Sequence, residues 1–90
     1  MPTSSETLAK LPPDVDLHAR PAADFVRAAM GFDAEIVLAS GEREADAKSL
    51  LAVLALGAKR GTTLRLRADG EDASIAVDAL AGRIATLQEL

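Results

Sequence analysis

Ala34-Glu35-Ile36-Val37-Leu38-Ala39-Ser40-Gly41-Glu42-Arg43-Glu44-Ala45 is the stretch whose pattern decides the fold. Ala34 to Ala39 is an apolar run with the β-branched pair Ile36 and Val37, residues that pack well on a pleated surface. Gly41-Glu42 fits a two-residue hairpin turn with glycine in the first central place. Arg43 to Ala45 returns as a short charged strand, the usual protection of a sheet edge. The stretch predicts a β-hairpin.

Downstream, Asp46 can cap a short helix from Ala47 to about Leu56, ended by Gly57. Thr62 to Ala68 alternates Leu64 and Leu66 against Thr63, Arg65 and Arg67, the pattern of a half-buried strand. From about Glu71 to Glu89 the spacing predicts a long helix with the stripe Ala73, Ala76, Val77, Leu80, Ile84 and Leu87 buried and acids in its first turn. Gly82 inside it costs about 1 kcal/mol relative to alanine, which packing must offset. Upstream, Ser5 to Leu11 reads as a strand stopped by Pro12-Pro13. Ala19 to Met30 reads as a helix with Ala22, Phe25, Val26, Ala29 and Met30 at helical spacing and Gly31 as its stop. The order is β-α-β-β-α-β-α with no internal repeat. It predicts an α+β fold, a mostly antiparallel sheet covered by helices on one face.

The chain has 90 residues, enough for one small core, so residues 1–90 are expected to form a single domain. There is no cysteine and one histidine. Disulfides, thiolate catalysis and Cys- or His-cluster metal sites are therefore excluded. Met1 to Glu6 has neither a basic region nor an apolar core, and no run approaches the roughly 20 apolar residues that span a bilayer. A cytoplasmic, free-standing chain with no membrane insertion is expected. Fourteen acidic and ten basic residues give a net charge of −4, which disfavours nucleic acid as a partner. Arg20, Arg27, Lys48, Lys59 and Arg60 nevertheless fall in or beside the segments near the histidine. That local positive zone suits an acidic protein partner or one phosphate.

The one histidine, His18, stands in Leu17-His18-Ala19-Arg20-Pro21-Ala22-Ala23, where a loop turns into a helix. Helix N-termini offer unpaired N–H donors and a positive dipole end, which suits a group that carries phosphate. One nitrogen of a neutral imidazole can attack phosphorus while the other keeps its proton. Arg20, two residues on, can bind phosphoryl oxygens. Pro21 costs little at the helix start, because its missing N–H would have no helical partner.

The chain resembles the histidine-containing phosphocarrier (HPr) family of the phosphoenolpyruvate:sugar phosphotransferase system, from about Ser5 to Leu87. Leu17 to Ala23 and Ala47-Lys48-Ser49-Leu50-Leu51…Leu56-Gly57 carry the resemblance, with Gly61-Thr62 and Asp69-Gly70-Glu71-Asp72 also fitting. The resemblance implies an open-faced β-sandwich: a four-stranded antiparallel sheet, order 1-4-2-3, with three helices on one face. It implies that His18 accepts a phosphoryl group from enzyme I and passes it to enzyme IIA, with Arg20 as charge partner. No cofactor or metal is implied, and the protein is a carrier more than an enzyme. Ser49 would match the serine phosphorylated by an ATP-dependent HPr kinase in many species. One departure is Asp16, where the family usually has glycine. An acid there opposes a phosphoryl dianion and the loss of glycine restricts the loop.

The helix around Leu50, Leu51 and Leu54 is apolar almost all round and has two readings. It is fully buried, or those three leucines form an exposed docking patch beside His18 while Val53 and Leu56 face the core. Arg27 is assigned to the rim of that surface. Ser49 is either an ordinary helix-start residue or a switch, since a phosphate beside an apolar patch raises the cost of docking. A monomer is expected. Rival functions are a related carrier serving a nitrogen-related or dihydroxyacetone-kinase phosphorelay, and a regulatory binding module acting through Ser49 and the second helix.

Overall fold

The computed structural model describes residues 3–88; Met1, Pro2 and the expected helix end at Glu89 lie outside them. The element order is β1 (Ser4–Lys10), α1 (Ala19–Ala29), β2 (Glu35–Ser40), β3 (Arg43–Asp46), α2 (Leu50–Ala55), β4 (Thr63–Asp69) and α3 (Ala73–Ala85). The four strands form one antiparallel sheet in the order β1-β4-β2-β3. The open-faced sandwich with three helices on one face is therefore the observed architecture.

The hairpin closes as its sequence dictates. Ser40 pairs with Arg43 across Gly41-Glu42, and Gly41 takes φ +60°, a value that L side chains rarely adopt. Central strand β4 shows the period of two directly. Leu64, Leu66 and Ala68 are buried under the helices, while Thr63, Arg65 and Arg67 lie on the open face. Leu66 is flanked by Leu38 of β2 and Thr7 of β1, and Ala68 by Ile36 and Ser5, so these inward residues of β4 meet partners on both sides.

Phe25 is fully buried in α1, together with Ala22, Val26 and Ala29. In α3 the stripe Ala73, Ala76, Val77, Leu80 and Ile84 is buried, and Leu87 just past the helix is buried too. Burial of each large side chain is worth about 1.5–3 kcal/mol relative to exposure. Gly82 lies on the exposed side of α3, where an added Cβ would meet nothing within 4 Å. Packing thus gives nothing back for this glycine.

Most element ends shift by one residue from the sequence expectation; the larger differences are at α2 and α3. Asp46 does not cap α2; it ends β3, opposite Val37, and its carboxylate accepts the Lys48 N–H at 2.9 Å. The Ala47 N–H donates to Ile36 O at 2.9 Å, so sheet pairing holds the chain extended there and α2 begins at Leu50. Helix α3 is shorter at both ends than Glu71 to Glu89. It has no acid in its first turn, and the Asp72 carboxylate instead accepts the N–H groups of Asp33 and Ala34, both at 2.9 Å. At the other end the Thr86 hydroxyl donates to Gly82 O at 3.0 Å. Gly31 follows α1 without a left-handed φ. Gly70 has φ +148° and sits where a Cβ would come within 2.9 Å of Ala34 Cα, so the turn into α3 requires glycine.

Candidate functional site

His18 is placed by the loop before it. Leu11, Val15 and Leu17 are buried and alternate with outward residues, which turns Asp16 and His18 toward solvent. The loop is tied to the segment between α2 and β4: Leu11 N–H donates to Thr62 O (2.9 Å), Gly61 N–H to Pro12 O (3.0 Å) and Leu17 N–H to Ala58 O (3.0 Å). His18 then becomes the N-cap of α1. Its backbone is extended (φ −117°, ψ −165°) and its carbonyl accepts the Ala22 N–H at 2.7 Å. The imidazole is exposed and takes no part in capping the helix. No acid stands in the first turn of α1, so nothing there cancels the positive end of its dipole. Pro21 is buried at the helix start, where it removes one donor that had no helical acceptor.

A shallow cleft beside the ring is lined by Asp16, Leu17, His18, Leu54, Gly57, Ala58 and Lys59. Leu54, half-buried, joins α2 to this cleft. Leu50 and Leu51 continue outward from it with 40% and 81% of their surface exposed, whereas Val53 is fully buried and Leu56 nearly so. The helix therefore presents an apolar outer face beside the histidine and a separate inner face to the core.

Arg20 is exposed and opens on a neighbouring cleft between α1 and α3, shared with Arg27, Asp24 and Arg83. Arg83 and Asp24 pair there at 3.2 Å. Arg20 and Arg27 thus line one cleft, which shares no residue with the cleft that holds Leu54. Lys48 lies elsewhere: its ammonium donates to Phe32 O at 2.6 Å.

Ser49 is the N-cap of α2, not a residue of its first turn. Its Oγ accepts the Ala52 N–H at 3.3 Å. Asp16 is not the unopposed acid that the sequence suggests. Oδ1 accepts the Arg60 backbone N–H at 2.7 Å and Nε at 3.3 Å, and Oδ2 lies 3.2 Å from the other end of the guanidinium. The Arg60 guanidinium holds the Asp16 carboxyl below the usual aspartate range. Lys59 lines the His18 cleft as the local positive zone anticipates; what sequence reasoning missed is the pairing of Asp16 with Arg60, because the contact spans 44 residues and no local pattern reports it.

Among the described residues no group of three or more His, Cys, Asp or Glu side chains is placed to hold a metal ion, and no helix is long and apolar enough to cross a membrane.

Comparison with known proteins gives a consistent result. The family described as PTS-HPr, the PTS HPr component phosphorylation site, matches residues 6–86. The chain is 47% identical over 72 residues to the phosphocarrier protein HPr of Haemophilus influenzae, covering 80% of this chain and 85% of that protein. It is 42% identical over 76 residues to the phosphocarrier protein HPr of Haloferax volcanii, covering 82% and 85% respectively. Among solved structures, the phosphocarrier protein HPr of Bacillus anthracis superposes with a TM-score of 0.86 at 29% identity, covering 91% of this chain and 98% of that one. HPr of Thermoanaerobacter tengcongensis gives 0.84 at 34% identity, covering 89% and 90%.

Proposed function

The chain belongs to the PTS HPr family, and from that premise we propose that it carries a phosphoryl group on His18 between enzyme I and enzyme IIA of a sugar phosphotransferase system. The observation that carries this reading is the exposed imidazole at the N-cap of α1, which makes no capping bond of its own and shares a cleft with Leu54 of the apolar helix α2. One ring nitrogen attacks phosphorus as the P–N bond of the donor phosphohistidine breaks, and the donor imidazole leaves. The step reverses with an acceptor histidine on enzyme IIA. Such transfer is mainly positioning and charge stabilisation, so a small domain without its own base or metal suffices.

The backbone N–H groups at the start of α1 and the positive dipole end stabilise the incoming dianion. Arg20 adds a cation two residues from the ring. Leu50, Leu51 and Leu54 give partners an apolar contact, and Arg27 supplies a rim charge for an acidic partner surface. Phosphorylation of Ser49 by a kinase would place a dianion at the N-cap of α2, which the helix tolerates, and would weaken docking on the adjacent leucines.

Incubation with phosphoenolpyruvate and enzyme I tests the assignment. Acid-labile phosphate is expected on the wild-type chain, absent from His18→Ala and reduced in Arg20→Ala. Undiminished label on His18→Ala would remove His18 as the acceptor.

A further inference from the structure

Asp16 lies two residues before His18 and lines the same cleft. Its carboxylate is held at three points by Arg60: Oδ1 by the backbone N–H at 2.7 Å and by Nε at 3.3 Å, Oδ2 by the second guanidinium nitrogen at 3.2 Å. The next two residues are fixed as well, Leu17 N–H to Ala58 O (3.0 Å) and His18 N–H to Asp16 O (2.9 Å). The pair is therefore built into the segment that presents the imidazole. Its side chains are 29% and 60% exposed, so the two charges act on the cleft through partly solvated surroundings. The other charge lining the cleft is Lys59, while Leu17, Leu54, Gly57 and Ala58 are uncharged; Arg20 faces in from α1 on the neighbouring cleft.

We propose that Asp16 and Arg60 form a charge-compensating pair that sets the electrostatic potential felt by a phosphoryl group on His18, and with it how readily that group is passed on. The proposal rests on the phosphocarrier reading of His18. A lone carboxylate in this cleft raises the energy of a phosphohistidine dianion and favours its departure. A lone guanidinium lowers that energy and favours retention. Held together as a pair, the two fields largely cancel. Both are positioning residues: they act through the potential at the ring and touch no reacting atom. The pair also explains how an acid is accommodated where the resemblance leads one to expect glycine.

Two substitutions separate charge from scaffold. Asp16→Asn keeps an oxygen to accept the Arg60 N–H, and Arg60→Ala keeps that N–H, so each preserves the 2.7 Å bond. Each protein is phosphorylated with phosphoramidate: the imidazole nitrogen bonds to phosphorus, the P–N bond of phosphoramidate breaks and ammonia leaves. The pH titration of the phosphohistidine is then followed by ³¹P NMR. Arg60→Ala is expected to raise the titration midpoint and Asp16→Asn to lower it, each by roughly 0.2–0.7 pH units, the range for charges near a surface. The double variant should return close to wild type, and all shifts should shrink at high salt. A purely structural tie would move both single variants in the same direction. Shifts of the same sign, or none, overturn the proposal. A chain labelled by phosphoramidate but not by phosphoenolpyruvate and enzyme I overturns the carrier function alone, because the titration still reports on the pair.

Discussion

Asp72 and Ala34 stand 38 residues apart in sequence, and the carboxylate of one accepts the backbone N–H of the other at 2.9 Å. The second oxygen accepts the Asp33 N–H at the same distance, so one side chain fixes the start of α3 to the entry of β2. Gly70 lets the two segments come this close. Asp72→Ala is therefore expected to cost about 1–3 kcal/mol, since it leaves a half-buried N–H without its partner. Thermal unfolding should show it, at roughly 4–8 °C per kcal/mol for a domain of this size. A melting temperature within a degree of wild type would mean that water replaces the carboxylate without loss.

Leu51 and Val53 are two residues apart on α2 and have opposite environments. Leu51→Glu should change stability by less than about 0.5 kcal/mol, as an exposed position does, while reducing enzyme I binding severalfold. Val53→Ala removes fully buried methyl groups and should cost on the order of 1–3 kcal/mol. Parallel calorimetry and binding titrations separate the two faces; a large loss of stability in Leu51→Glu would place that leucine in the core.

Ser49→Ala removes the acceptor for the Ala52 N–H and should destabilise the protein by about 0.5–2 kcal/mol. Ser49→Asp supplies another good cap and should restore most of that stability while still impairing partner binding by its charge. Urea unfolding checks the first half and enzyme I titration the second. Equal stability of all three proteins would show that the six-residue helix is held by packing alone.

Gly82→Ala should stabilise the chain by about 1 kcal/mol, because alanine is the better helix former and its methyl group meets open space. The melting temperature should rise by roughly 4–8 °C. A fall would reveal a contact on the solvent side of α3.

The Asp16–Arg60 pair makes stability depend on pH with a definite sign. The folded-state pKa of Asp16 lies below its unfolded value. Its stabilisation is therefore fully present above the unfolded pKa and is lost as pH falls through the folded one. The stability difference between wild type and Arg60→Ala, measured by chemical unfolding, should be constant near neutrality and close toward zero in strong acid. A difference that persists at the acid end would assign it to something other than the carboxylate.

The elements were legible wherever one face of a regular period is buried. β4 and α3 show this best: Leu64, Leu66 and the Ala73 to Leu87 stripe lie inside as their spacing requires. The start of α2 was not legible, because Asp46 and Ser49 are both acceptable caps three residues apart. The choice between them is made by pairing of Ala47 with Ile36, a partner distant in sequence. The same holds for Asp72, whose carboxylate serves β2 and not its own helix. Of the site, His18 and its place at a helix start were legible from Leu17 to Ala23, and the outer face of α2 followed from its excess of leucine. The compensation of Asp16 was not, since it depends on how two loops meet.

Among the described residues no polar or charged side chain is buried. The interior is thus chemically mute: nothing within it ionises, ligates or selects. Any chemistry this molecule performs is therefore left to its rind, while the apolar interior serves cohesion alone.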